Sequence, residues 1–169
     1  ALREPQLYRG VVLLDSPMLS RAECLMVRMA KRLELMDRIT PAGRSLGRRE
    51  LFSDRSEARD YFAGKSLFRD FDPACLDAYV EHALVETDSD LRLRFDPAVE
   101  VSIYRTAPHV APGQPQQLKL PLALVRGRHS RVVMPRHARQ VKRLVMGEYL
   151  TLAGGHMFPL ERPQATAEL

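Results

Sequence analysis

The sequence predicts an α/β protein in which a parallel sheet is interrupted by a long, mainly helical segment. Three observations support this fold class. An apolar, β-branched run occupies residues 11–14, and two more apolar runs, at 120–125 and 149–152, flank a helical pattern. Strand, helix and strand joined by short links are typical of a parallel βαβ unit. The residues between the first two runs have helical periodicity for most of their length.

The first strand and the helix after it are the clearest early elements. Val11–Leu14 is apolar on both faces, which favours a parallel strand covered by helices. Ser20 and Glu23 have the spacing of a capping box, so a helix is expected to begin there. Its apolar stripe is formed by Met26, Met29, Ala30, Leu33 and Met36. We expect the prolyl and glycyl residues at 41–43 to end this helix.

In the rest of the helical segment, capping residues and prolines indicate where helices begin. Ser53 or Asp54 is expected to cap a second helix that runs through Tyr61. Pro73 opens a third helix, and Pro97 opens a fourth that reaches about residue 104. Between the last two, alternating apolar residues at 91, 93 and 95 predict a short strand. Residues 105–118 are predicted to be a loop.

Composition sets limits on the class of protein. The chain has 169 residues and a formal net charge of +5. Cys24 and Cys75 lie in apolar helical patterns and are interpreted as core residues, which fits a cytoplasmic protein without disulfides or bound metal. No stretch is long and apolar enough to span a membrane. The basic residues of 126–143 lie mostly opposite the apolar stripe Met134, Ala138, Val141 and Val145, so we expect a solvated helix face and no nucleic-acid partner.

The segment that follows the last strand carries the most informative motif. Gly154-Gly155-His156 is followed by an apolar pair and then by Glu161-Arg162-Pro163, which is expected to open a final helix. This arrangement resembles the catalytic-histidine loop of the α/β-hydrolase family. The resemblance implies that residues 1–17 hold the sixth core strand, 18–117 form a helical cap, and 118–169 contain strands seven and eight. It also implies that His156 is the general base of a catalytic triad.

The acid of the implied triad is the less obvious member. In most of the family it follows strand seven in a G-x-x-D pattern, but here that position is Ser130. No aspartate occurs after Asp96, and Glu148 and Glu161 are expected to have other roles. Asp15, directly after the sixth strand, is therefore the expected acid, with its carboxylate about 2.6–3.2 Å from Nδ1 of His156. The alternative is that Asp15 only caps the turn into Pro17.

The resemblance further implies a hydrolase of apolar carboxylic esters that needs no cofactor. Its nucleophile is expected in a missing N-terminal half of the same protein, so this chain alone should be inactive. Met18, Met26, Met157 and Phe158 are the candidates for an apolar substrate pocket. Two alternatives remain open: an enzyme like haloalkane dehalogenases or epoxide hydrolases, with an aspartate nucleophile, and a non-catalytic protein of this fold that binds a ligand or partner.

Overall fold

The computed structural model describes residue 1 and residues 4–16, 19–109, 118–137 and 147–169. The chain divides into two compact units. The first unit comprises residues 1–20, 70–72 and 111–169, and the second comprises residues 21–69 and 73–110.

Six strands and eight helices are defined in the described residues, with a short 3₁₀ turn at Pro5–Leu7. The strands are β1 (Val11–Leu14), β2 (Leu51–Phe52), β3 (Leu84–Glu86), β4 (Leu91–Leu93), β5 (Leu122–Gly127) and β6 (Gly147–Leu152). The helices are α1 (Arg21–Arg32), α2 (Met36–Ile39), α3 (Ala42–Ser45), α4 (Arg55–Ala63), α5 (Pro73–Ala83), α6 (Pro97–Thr106), α7 (Phe158–Glu161) and α8 (Pro163–Ala167).

The first unit is built on a three-stranded parallel sheet in the order β1-β5-β6. Leu14 pairs with Val125, and Gly127 pairs with Leu152. The three predicted strands are thus confirmed, although β5 begins and ends two residues later than expected and β6 begins two residues earlier. Because the strands are parallel, the loops that follow them leave from the same edge of the sheet.

One face of this sheet forms the core of the first unit. Leu124 and Val133 are completely buried there, with Leu13 and Tyr149 packed against them. On β1 the opposite face is open in the described residues, where Val12 and Leu14 are exposed. The helix predicted from Met134 to Val145 lies largely outside the described residues, which resume at 147.

The second unit combines α1 to α6 with a small antiparallel sheet in the order β2-β4-β3. The expected helices α4, α5 and α6 and the strand β4 are present. Its core holds an aromatic cluster in which Phe62 contacts Phe52, Phe68 and Tyr79 with ring centroids 5.1–5.5 Å apart. Strands β2 and β3 were not predicted, because two or three residues are too few to establish an alternating pattern.

The predicted course of the first helix was wrong at its end. Helix α1 stops at Arg32, and Glu34 then adopts a left-handed conformation with φ 54°. Pro41 does not end a helix but precedes the short helix α3. A β-carbon on Gly43 would lie 2.5 Å from the carbonyl oxygen of Asp37, so glycine here permits a close backbone approach. The expected stripe is only partly buried: Ala30 and Met36 are inside, whereas the remaining three, Met26, Met29 and Leu33, are exposed.

Candidate functional site

Asp15 lies at the carboxyl end of β1 in an unusual backbone conformation. Its φ is 46°, in the left-handed region that aspartate tolerates better than most residues. Its backbone N–H donates to the carbonyl oxygen of Val125 at 2.8 Å, which ties the turn to β5. Only 1% of the residue is exposed. The turn therefore directs a buried carboxylate over the end of the neighbouring strand.

Three donors surround that carboxylate. The backbone N–H of Gly127 donates to Oδ1 at 3.0 Å, and the hydroxyl of Ser130 donates to Oδ2. Nδ1 of His156 lies 2.8 Å from the same Oδ2. An ionised carboxylate can only accept hydrogen bonds, so the proton of this contact is on Nδ1. A neutral His156 ring in this contact keeps its lone pair on Nε2. The distance agrees with the range that the sequence predicted.

His156 itself is accessible. Its side chain is 46% exposed, in contrast to the buried Asp15 that holds it. No residue in the described part of the chain forms a hydrogen bond with its Nε2 atom. The ring is thus fixed on one side and free on the other, which is the arrangement that a general base requires.

The loop that carries His156 crosses the end of β5 on its way from β6 to Asp15. The N–H of Arg128 donates to the carbonyl of Leu152 at 2.8 Å, and that of His129 donates to the carbonyl of Gly154 at 2.9 Å. A β-carbon on Gly127 would overlap the carbonyl oxygen of Gly155. Gly127 is therefore required where the two loops pass, a role that sequence reasoning missed.

Glu161 secures the loop from the other side. Its Oε2 accepts the backbone N–H of Gly155 at 2.7 Å, directly before His156. Gly154 has a φ of 124°, a conformation open only to glycine at low cost. Glu161 was expected at the start of the last helix, but it ends α7, and α8 follows after a break at Arg162. The spacing from Gly155 to Glu161 was visible in the sequence, but the hydrogen bond was not predicted.

Ser130 occupies the position where the resemblance places the usual acid. It is 3% exposed, and its hydroxyl is directed to Asp15 rather than to Nε2 of His156. Ser130 thus lies on the same edge of the sheet as Asp15 and His156. The other two carboxylates considered as the acid have different surroundings. Glu148 is exposed on β6, and Glu161 accepts a hydrogen bond from the N–H of Gly155.

Residues 43–47 match the pattern G-x-S-x-G, which is typical of a nucleophile elbow. Its serine, Ser45, ends the four-residue helix α3 in the second unit. Ser45 is 1% exposed and its hydroxyl donates to the carbonyl of Pro41 at 3.3 Å. A nucleophile elbow needs a strand-to-helix turn that exposes the serine. The local structure of Ser45 does not provide one.

The residues predicted to bind substrate belong to both units. Met18 lies outside the described residues. Met26 is exposed on α1 in the second unit, and Met157 is half-buried next to His156. Phe158 is completely buried, which favours a packing role in this chain. Their contact with a substrate stays a prediction.

Two wider properties concern metals and membranes. Within the described residues, no group of three or more His, Cys, Asp or Glu side chains is arranged to hold a metal ion. None of the helices that the structure describes is both long and apolar enough to cross a bilayer.

Comparison with known proteins gives matches at the level of structure. No family model matches the sequence, and no curated protein sequence matches it either. The chain is similar to E-2-(acetamidomethylene)succinate hydrolase, with 20% identity and a TM-score of 0.70 over 99% of this chain and 57% of that one. It is also similar to an esterase from Mycobacterium tuberculosis, with 21% identity and a TM-score of 0.66 over 99% of this chain and 54% of that one.

A peroxisomal alpha-beta-hydrolase from Saccharomyces cerevisiae is a third match, with 14% identity and a TM-score of 0.67 over 99% of this chain and 46% of that one. The protein therefore has the α/β-hydrolase fold, as the sequence predicted. The chain spans about half the length of these solved structures.

Proposed function

We propose that this chain supplies the general base and the orienting acid of a serine hydrolase that cleaves carboxylic esters. His156 is the base and Asp15 is the acid. The observation that carries the proposal is the 2.8 Å contact between Nδ1 and Oδ2, which leaves Nε2 free on an accessible ring. The fold shared with an esterase and other hydrolases supports the same reaction class.

The chemistry of the pair follows from its geometry. Nε2 accepts the proton of a serine hydroxyl as the serine oxygen bonds to the ester carbonyl carbon. When the tetrahedral intermediate collapses, the bond to the alcohol oxygen breaks and His156 gives its proton to that alcohol. A water molecule then attacks the acyl-enzyme by the same route, releasing the acid. Asp15 holds the ring in one tautomer and stabilises the imidazolium that forms twice in each cycle.

The nucleophile belongs, in this proposal, to a segment outside these 169 residues. Ser130 bonds to the acid, and Ser45 is buried against Pro41. We call the chain joined to the segment that carries the nucleophile the full-length protein. The 169-residue chain by itself is expected not to hydrolyse esters. An apolar substrate is favoured by Met157, which is half-buried next to His156.

The test is hydrolysis of p-nitrophenyl butyrate by the full-length protein and its variants. His156→Gln should lose nearly all turnover, whereas His82→Gln, which changes an exposed histidine at the end of α5, should not. Ser45→Ala should also retain activity.

The competing functions give different results in the same experiment. Labelling of a serine by an alkyl fluorophosphonate supports the serine enzyme. Turnover of haloalkanes or epoxides without serine labelling would instead indicate an enzyme with an aspartate nucleophile. No turnover of any of these substrates would favour a non-catalytic binding protein. Loss of activity in a folded Ser45→Ala protein would indicate that the nucleophile is Ser45, within this chain.

A further inference from the structure

The hydroxyl of Ser130 has its direction fixed by its neighbours. The backbone N–H of Val132 donates to Oγ at 3.0 Å, and that of Val133 approaches it at 3.4 Å. These donors occupy the lone-pair side of the oxygen, so the hydroxyl proton is left to point at Oδ2 of Asp15. Ser130 is 3% exposed, so its hydroxyl is shielded from bulk solvent. The Ser130 hydroxyl therefore donates its hydrogen bond to the carboxylate of Asp15.

The backbone around Ser130 is equally constrained. Its N–H closes a turn by donating to the carbonyl of Gly127 at 2.9 Å. The guanidinium of Arg126 donates to the carbonyl of Ser130 at 3.0 Å and to that of Val133 at 2.6 Å. The turn that carries the hydroxyl is thus fastened to β5. The turn after β5 presents the hydroxyl as a rigid donor.

Oδ2 of Asp15 receives both the Ser130 hydroxyl and Nδ1 of His156. Oδ1 is held separately by the N–H of Gly127. Two charged side chains of the same loops bond to the backbone: the guanidinium of Arg126 donates to two carbonyls, and the carboxylate of Glu161 accepts the N–H of Gly155. Among the contacts described for Asp15, the Ser130 hydroxyl is the one side-chain donor that does not take part in proton transfer.

We propose that Ser130 is a positioning residue for the catalytic pair. By holding Oδ2, it keeps the carboxylate aligned with Nδ1, and so keeps the proton of the neutral imidazole off Nε2. This inference rests on the proposed function for its catalytic consequence. The positioning itself can be measured without turnover, because the tautomer of His156 reports it directly.

The experiment compares Ser130→Ala with Ser45→Ala in the full-length protein. Ser45 is a matched control because it is also buried and also loses one hydrogen bond, to Pro41, on substitution. The ¹⁵N chemical shifts of the His156 ring give the share of the neutral imidazole that carries its proton on Nδ1. In Ser130→Ala that share should fall, and kcat should drop about tenfold, as expected for one hydrogen bond to a charged group, with KM unchanged. In Ser45→Ala neither the tautomer nor kcat should change.

A second variant covers the case in which Ser130→Ala does not fold. Ser130→Cys is larger than serine but keeps a weak donor, so it should change the tautomer in the same direction to a smaller extent. An unchanged tautomer in a folded Ser130 variant would overturn the inference and leave Ser130 a packing residue. A changed tautomer in a protein that hydrolyses no ester would support the positioning role while overturning the proposed function.

Discussion

Nδ1 of His156 lies 2.8 Å from Oδ2 of Asp15, although 141 positions of sequence separate the two residues. They follow β6 and β1, which are not neighbours, because β5 lies between them. The histidine loop has to cross the end of β5 to complete the contact. At that crossing the loop lies against Gly127, and Glu161 accepts a hydrogen bond from Gly155, the residue before His156.

The acid should matter far more for turnover than for substrate binding. Asp15→Asn keeps the shape of the side chain but replaces an acceptor by an amide that can donate to Nδ1, which favours the wrong tautomer of His156. We expect kcat for p-nitrophenyl butyrate to fall by roughly three to four orders of magnitude with a smaller change in KM. Steady-state kinetics of the full-length protein measure both. Asp88→Asn, in the exposed turn before β4, is the control, and an equal loss there would point to a general effect on folding.

Glu161 should contribute to stability through the histidine loop. Glu161→Ala leaves the partly buried N–H of Gly155 without its 2.7 Å acceptor, at an expected cost of about 1–3 kcal/mol in the free energy of unfolding. Glu161→Gln keeps one acceptor oxygen and should cost less in both stability and turnover. Urea unfolding of the two variants checks this order. Glu168→Ala, near the exposed end of the chain, should be neutral, and a Gln variant as damaged as the Ala variant would contradict the assignment.

The crossing of the two loops makes a glycine necessary at 127. In Gly127→Ala the new methyl group would overlap the carbonyl oxygen of Gly155, so the loop or the strand has to move. We expect lower thermal stability and a loss of turnover together. Gly64→Ala is the control: its φ is −73° and a β-carbon there would meet its neighbours at 3.5 Å or more, so it should be neutral or stabilising by about 0.4–1 kcal/mol. A fully active Gly127→Ala protein would show that the loops do not pass as closely as described.

Low pH should destabilise the start of α4. Glu57 accepts hydrogen bonds from Ser53 and pairs with Arg49, while Asp54 accepts the N–H of Glu57. The backbone hydrogen bond from Ser53, with the contact to Arg49, lowers the pKa of Glu57 from 4.5 to about 2. A lowered pKa stabilises the fold above pH 4.5, and that contribution is lost as the pH falls towards 2.

Glu57→Gln should remove this part of the pH dependence. Unfolding midpoints measured between pH 5 and pH 2 should therefore decline less steeply in the variant than in the unaltered protein. Glu50→Gln provides the control, because Glu50 contacts Arg92 only at 3.4 Å. Parallel curves for Glu57→Gln and the unaltered protein would contradict the prediction.

Sequence patterns predicted the contact between Asp15 and His156 because both residues follow parallel strands. The carboxyl ends of parallel strands lie at the same edge of a sheet. The sequence alone could therefore predict that Asp15, Ser130 and His156 lie at one edge, without any distance being known. The close passage of Gly127 and Gly155 could not be predicted, since it depends on how far one loop reaches over another strand. The end of α1 at Arg32 was not predicted for a related reason: the left-handed residue that follows is Glu34, and a left-handed residue that is not glycine leaves little signal in the sequence. Ser45 shows the opposite situation. Its sequence matches the G-x-S-x-G motif, but it lacks the strand-to-helix turn that a nucleophile elbow requires.

The most direct test of the account is the identity and position of the serine that reacts with a phosphonate ester. We predict that the crystal structure of the full-length protein inhibited by p-nitrophenyl alkylphosphonate will show a modified serine outside residues 1–169. Its Oγ or a phosphonate oxygen should lie within hydrogen-bond distance, about 2.6–3.2 Å, of Nε2 of His156, with Asp15 still on Nδ1. A phosphonate on Ser45 or Ser130, or a modified serine that does not contact His156, would contradict the central claim.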